Sequence, residues 1–292
     1  MAECRLCPRA CGADRDGGET GFCGAGADAV VARAAPHFWE EPCISGTHGS
    51  GTVFFSGCSL RCVYCQNRAI SSGAIGKTLS AAELRELFLR LAGSGVHNIN
   101  LVTPTHFSAA IAEALEKPVG VPIVYNCGGY ESVETLKMLE GKIDVYLTDM
   151  KYSDAEAAAR LSGAPDYFDV ARAAVREMSR QVGGYVIDDG GIMTRGLIVR
   201  HLILPGYSEN TRGVLRWFAD EFAGRHVKLS LMSQYFPPED AEKLGAPPRR
   251  LSPEEYAEAE LLCAELGITD GYFQELDAAS DAYVPPFDLT GV

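Results

Sequence analysis

From Thr52 onward the chain alternates short apolar runs with segments whose apolar residues recur at helical spacing. "TVFFSG" (52–57) is a β-branched and aromatic run closed by glycine, which reads as a buried strand. "SAAELRELFLRLAGSG" (80–95) follows as a helix, with a serine cap, a glutamate three residues on and a closing glycine. The rhythm then repeats: strands at 98–102, 121–126, 143–149, 195–204 and 226–233, and helices at 108–117, 132–141, 154–162, 166–182, 208–223 and 252–267. "GGYVIDDGG" (183–191) reads as a hairpin insertion and "DGYFQEL" (270–276) as a short edge strand. Strand and helix in steady alternation predict a parallel sheet with helical crossovers. No nucleotide-type glycine fingerprint follows the first strand. The order therefore fits an open or partly closed barrel better than a doubly wound sheet.

The first 27 residues break the pattern. They are short of apolar side chains and rich in cysteine and glycine, so they bury no core unaided. Residues 28–50, with "VVARAAPHFWEEP", read as a strand and an extended approach. The expected organisation is a Cys-rich metal-binding segment (1–27), a linker or strand (28–50) and one α/β domain (51–292) with a C-terminal extension.

Composition narrows the partners. The 292 residues are 47% hydrophobic and 22% charged, as in ordinary globular proteins. A net charge of -13 repels polyanions, which argues against nucleic acid and for a protein or small-molecule substrate. No apolar run is long enough to span a membrane, and "MAECRLCPRACGADR" is no signal peptide; a cytoplasmic location is expected.

Ten cysteines in such a chain point to metals rather than disulfides. Cys58, Cys62 and Cys65, spaced C-x3-C-x2-C, follow the first βα strand at its C-terminal end, where parallel barrels build their sites. Three thiolates on a four-iron cubane leave one iron open to a small amine-and-carboxylate ligand. The plainer alternatives are a buried reduced trio, or a structural zinc completed by Cys43, His48 or Cys127. Cys4, Cys7, Cys11 and Cys23, spaced C-x2-C-x3-C-x11-C, supply four ligands and so a closed site. Zinc and an auxiliary iron–sulfur cluster both meet that pattern, and the glycine-flanked Cys23 favours a zinc knuckle. Cys127, at a strand end, reads either as a hydrogen donor in catalysis or as a small buried residue. Cys43 and Cys263 read as packing.

"CSLRCVYC" resembles the signature of the radical S-adenosylmethionine (radical SAM) superfamily, with aromatic Tyr64 before the last cysteine. The blocks "CRLCPRACGADR", "EPCISGTHGSGTVFFSGCSLRCVYCQN", "HNINLVTPTHF", "IVYNCGGYESVETL", "DVYLTDMKY", "RGLIVRHLILPG" and "LMSQYFP" resemble a subgroup of proteins similar to pyruvate formate-lyase-activating enzyme. The resemblance implies a partial, TIM-like (β/α)6 barrel, a [4Fe-4S] cluster and S-adenosylmethionine. It implies one-electron cleavage of the sulfonium to a 5′-deoxyadenosyl radical that abstracts hydrogen. It also implies an electron donor such as flavodoxin or ferredoxin.

Polar residues at the strand ends are the expected cofactor contacts: Tyr64, Asn67, Thr103, Thr105, Asn126, Asp149, Lys151, Arg200 and Gln234. Lys151 or Arg200 suits the cofactor's carboxylate, and Asp149 its ribose; "DMK" matches an Asp-x-Lys of activating enzymes. His201 alternates with Arg200, so only one of them faces inward. His106 reads as a loop or cap residue. The chain departs from the family at "TPTH", where a Gly-Gly-Glu commonly meets the cofactor's amino group. Three functions stand open: an activase acting on a partner protein of the glycyl-radical type, an enzyme modifying a small molecule or peptide, and a non-catalytic iron–sulfur scaffold.

Overall fold

The computed structural model describes residues 3–71, 75–276 and 284–292. Its frame is a run of parallel strands in chain order: β2 (Ser50–Phe55), β4 (Ile99–Val102), β5 (Ile123–Cys127), β6 (Val145–Asp149), β8 (Met193–Leu202), β9 (Lys228–Met232) and β10 (Gly271–Phe273). Each strand pairs with the next in that series. Winding in one direction is what a barrel requires and a doubly wound sheet forbids.

The other strands are antiparallel. β1 (Ala29–His37) lies beside β2, and β3 (Lys77–Leu79) beside β1. The strand expected within 28–50 is thus β1, whereas β3 was not expected at all. Three residues, two of them polar and exposed, carry no period-two signal. β7 (Val186–Ile187) forms the expected hairpin with β8.

The helices are α1 (Pro42–Ser45), α2 (Arg68–Ser71), α3 (Ala81–Gly93), α4 (Ser108–Ala114), α5 (Val133–Met138), α6 (Ala155–Ser162), α7 (Tyr167–Val182), α8 (Ser208–Phe222), α9 (Ala241–Leu244) and α10 (Pro253–Glu265). Local chemistry sets their starts. Ser80 and Glu83 form a reciprocal capping box on α3, as Ser252 and Glu255 do on α10, where Pro253 also opens the first turn. Leu84, Leu87, Phe88 and Leu91 then share the buried face of α3.

Side chains alternate between two cores. Val53, Phe55, Ile99, Leu101, Tyr125 and Tyr146 point outward, under the helices. Val124, Val145, Leu147 and Ile198 point inward, where Cys43 and Ile44 of α1 pack on them. This plug is what the sequence did not reveal. Burying Ile44 completely contributes about 1.5–3 kcal/mol, and it anchors the residues just before α1 inside the sheet's curve. Among the described residues no helix is long and apolar enough to cross a membrane.

Candidate active site

The cysteine loop leaves β2 through Gly57, at φ +87°. A Cβ there would lie 2.6 Å from the Cys23 carbonyl oxygen and 3.0 Å from His106 Nε2, so only glycine passes. The loop is fixed to the barrel from outside: Val63 N–H donates to the Leu161 carbonyl at 2.9 Å, and the Arg9 guanidinium donates to the Ser59 and Ser162 carbonyls at 2.8 Å each.

Burial, then the neighbouring Cys62 and Cys65, pushes the Cys58 thiol up to about 12. Cys65 is likewise raised by burial and by Cys62, so this loop calls for a cation among its sulfurs. Donors stand ready for charged sulfur: Leu60 N–H lies 3.3 Å from Cys58 Sγ, and the Ser162 hydroxyl donates to Cys62 Sγ at 3.0 Å. The Tyr64, Tyr152 and Ser162 hydroxyls form a chain, with separations of 2.8 and 2.7 Å, that ends on this sulfur.

A zinc ion holds its sulfurs at about 2.3 Å, and hence within roughly 4 Å of one another. Among the described residues no three Cys, His, Asp or Glu side chains converge tightly enough for a single ion. The proposed fourth ligands are also elsewhere. Cys43 meets Tyr272, His48 stacks on His97, and Cys127 donates to Thr148 Oγ1 at 3.3 Å. A structural zinc here would thus lack the fourth protein ligand it requires, whereas a cubane held by three thiolates does not need one.

Cys62 and Cys65 open onto a cavity of about 210 Å³ inside the barrel mouth. Tyr64, Asn67, Asn126, Asp149, Lys151, Arg200 and Gln234 line it. Register explains their meeting, since Asp149 pairs with Arg200, and Asn126 sits across from Val102. His201, one position on, turns outward to the Met150 carbonyl (2.7 Å) and Thr211 (3.0 Å); burial holds its imidazole down at about 4.

Arg200 organises the cavity floor. Its Nε donates to Asp149 at 2.8 Å, Nη1 to Glu40 at 3.2 Å and Nη2 to Asn126 at 2.6 Å. Lys151 Nζ donates to the other Asp149 oxygen at 2.5 Å. Burial alone would raise Asp149, but Arg200 and Lys151 outweigh it and hold the carboxyl below the usual range.

Glu40 is the residue that sequence reading missed. It comes from the turn before α1, lines the cavity, and accepts from Asn100 (3.0 Å) and Asn126 (3.1 Å). Glu41 beside it is buried, and its Oε2 has no partner. Burial drives both carboxyls up against the pull of Arg200. Of these carboxyls only Glu40 joins Asp149 in lining the cavity, beside Lys151 and Arg200, and their oxygens offer acceptors to a ligand with an amino group. The adjacent acids in "FWEEPC" were the available signal, wedged between aromatic residues and a proline.

Other expectations are corrected. Thr105 is buried and donates to Glu131 Oε1 at 2.6 Å, away from the cavity. Thr103 does not line the cavity either; it takes a left-handed φ of +59°, and its N–H continues the ladder to Asn126. Cys127 is buried against Thr148 and does not line the cavity, which fits a packing residue better than a hydrogen donor. His106 is buried, with Nε2 2.7 Å from the Ser56 carbonyl. Cys4, Cys7, Cys11 and Cys23 lie outside the cavity, behind the cysteine loop, where the Cys58 amide donates to the Cys23 carbonyl at 3.3 Å.

Several known proteins are similar to this chain. A relative from Methanocaldococcus jannaschii, the uncharacterized protein MJ0674, is 29% identical over 266 residues, covering 88% of this chain and 72% of its own. Among solved structures, methylornithine synthase (PylB) superposes with a TM-score of 0.50 at 19% identity, over 73% of this chain and 61% of its own. SuiB of Streptococcus suis, bound to the precursor peptide SuiA, gives 0.50 at 10% identity, over 76% and 48%. The chain thus spans under two thirds of either structure, and the likeness shows a shared fold. The model of the radical SAM superfamily matches residues 52–217, more than half of the chain. A match of that extent decides the family: this chain belongs to the radical SAM superfamily.

Proposed function

We propose that this protein is a radical SAM enzyme that abstracts hydrogen from a small molecule or a peptide. The cavity beside the cysteine loop carries the reading. Trp39 and Glu40 wall it from one side, and Val284 and Pro285 of the C-terminal extension from another. A mouth narrowed in this way suits a ligand that enters, more than the flank of a folded partner. The hairpin at 184–195 lines none of it. Methylornithine synthase by its name, and SuiB by its bound precursor peptide, support this substrate class over the activase suggested by the sequence blocks.

In this reading Cys58, Cys62 and Cys65 hold the [4Fe-4S] cluster. When bound, cluster and S-adenosylmethionine together supply one-electron cleavage of the sulfonium and hydrogen abstraction. Every other task falls to this chain. Ser162 and the Leu60 amide neutralise thiolate charge with hydrogen bonds. Lys151 and Arg200 offer cations to the cofactor's carboxylate, while Glu40 offers an acceptor to the amino group left without a Gly-Gly-Glu. Phe54, Val102, Leu202 and Met232 exclude water from the remaining space.

The test is anaerobic reconstitution with dithionite and S-adenosylmethionine, measuring 5′-deoxyadenosine. A low-mass filtrate of cell extract should stimulate its formation. Stimulation confined to the retained protein fraction would overturn the substrate class in favour of activation. No formation at all would point to the non-catalytic scaffold.

A further inference from the structure

We propose that Ser162 sets the reduction potential of the cluster at the cysteine loop, as the last member of a buried hydroxyl relay that ends on Cys62. The proposal rests on the reading that Cys58, Cys62 and Cys65 hold that cluster, and it is independent of the substrate.

Ser162 is the last residue of α6, and the backbone around it fixes where its side chain goes. Gly163 follows at a left-handed φ of +57° and ends the helix there. The Leu161 carbonyl accepts from Val63 N–H at 2.9 Å, and the Ser162 carbonyl accepts from the Arg9 guanidinium at 2.8 Å. The end of α6 is thereby clamped against the cysteine loop. Ser162 is buried in this joint, and its hydroxyl donates to Cys62 Sγ at 3.0 Å.

The hydroxyls behind it form a relay whose direction follows from counting protons. Tyr64 Oη lies 2.8 Å from Tyr152 Oη, which lies 2.7 Å from Ser162 Oγ. Three hydroxyls carry three protons, and two of these serve the two links. The third must leave the chain at one end. Among the described residues the Tyr64 hydroxyl meets only Tyr152, so a chain running toward Tyr64 would strand a proton in the interior. Running from Tyr64 through Tyr152 to Ser162, the chain delivers that proton to Cys62 and every donor is satisfied. Tyr152 also lies within hydrogen-bond reach of Cys62, so the sulfur is the terminus whichever of the two hydroxyls donates.

Packing does not account for this arrangement. Tyr64 and Tyr152 are both buried, and phenylalanine would fill their places with no polar atom to satisfy. What the hydroxyls add is a fixed donor aimed at one thiolate. Lys151 is near enough to feel Cys62, but its ammonium is bonded to Asp149 on the cavity side. Reduction adds one electron to the cluster and negative charge to its sulfurs. A hydrogen bond strengthens with that charge, so an oriented donor favours the reduced state and raises the potential. Away from water the members of the relay polarise one another, which adds to the effect. The electron comes from dithionite in the test below; no proton leaves the relay and no covalent bond forms or breaks.

The test takes the full chain, reconstituted anaerobically with ferrous iron and sulfide, through a redox titration read by electron paramagnetic resonance. The signal followed is the one that the C58A/C62A/C65A variant lacks. Finding no such signal would overturn the cluster reading itself, and this proposal with it. Ser162→Ala should make reduction about tenfold less favourable, a fall of about 59 mV for one electron. Ser162→Thr keeps a hydroxyl and should restore most of the potential. Tyr152→Phe leaves the Ser162 bond in place and should give a smaller fall. An unchanged potential in Ser162→Ala, or an equal fall in Ser162→Thr, would overturn the role given to the hydroxyl. Should Ser162→Ala fail to retain iron, Tyr152→Phe decides alone: a fall supports the relay, and an unchanged potential overturns it.

Discussion

The two cysteine groups sit back to back and are built by opposite means. Cys58, Cys62 and Cys65 hang from the end of β2, a strand buried at every position, so the loop inherits its rigidity from the sheet. Cys4, Cys7, Cys11 and Cys23 are carried by turns alone, outside the barrel, and Arg9 and Arg15 fasten them to it. One loop faces a cavity where Glu40 and Asp149 meet Lys151 and Arg200; the other lies beside the buried Arg15, whose Nε and Nη2 have no partner among the described residues. A site that must leave a coordination place open needs a scaffold to hold its geometry. A closed site can draw its order from the ligand itself.

The sharpest way to break this contrast is Cys62→Ala. It should abolish 5′-deoxyadenosine formation while circular dichroism stays unchanged, because the sheet rather than the metal orders that loop. Undiminished product would end the active-site assignment.

Arg200→Ala comes next. It leaves Glu40, Glu41 and Asp149 with Lys151 alone in a buried site, and should cost about 3–5 kcal/mol in urea unfolding. Adding Glu40→Gln to that variant should recover part of the loss. A cost under about 1 kcal/mol, of the kind seen for exposed pairs, would show the network to be open to water.

Glu131 probes the wall between the two regions. It is fully buried among Thr105, Tyr125 and Cys127, and burial pushes its carboxyl from 4.5 to about 7. The folded state therefore binds its proton more tightly than the unfolded chain does. The resulting stability is complete below pH 4.5 and fades as pH rises through about 7. Between pH 5 and 8 the wild type should lose up to about 3 kcal/mol relative to Glu131→Gln. Parallel stability curves for the two proteins would refute a buried, titrating Glu131.

Arg9→Ala should have the smallest effect. Losing its bonds to backbone carbonyls should cost about 1–3 kcal/mol, confined to the N-terminal segment. Hydrogen exchange should quicken over residues 3–28, with S-adenosylmethionine affinity unchanged. Quickening across the cavity strands would mean the two regions open together.

Much of the barrel was legible because its signals are local. Short apolar runs gave the parallel strands, a capping box gave α3, and strand ends gave Asn126, Asp149, Lys151 and Arg200. What failed to show was short or non-local. β3 has three residues, and α1 is one turn whose apolar residues mean nothing until a barrel exists for them to plug. Thr105 looked like a cavity residue by position, but the short turn at 105–107 carries it to Glu131.

By itself the sequence determined the alternation of strand and helix and the cysteine spacings, since backbone periodicity and ligand count are written within a few residues. Only the tertiary structure decided that Glu40 meets Arg200, 160 residues away, and that Arg15 lies buried beside Cys4. A charge selects its partner through strand register and burial, and those exist only once the sheet has closed around them.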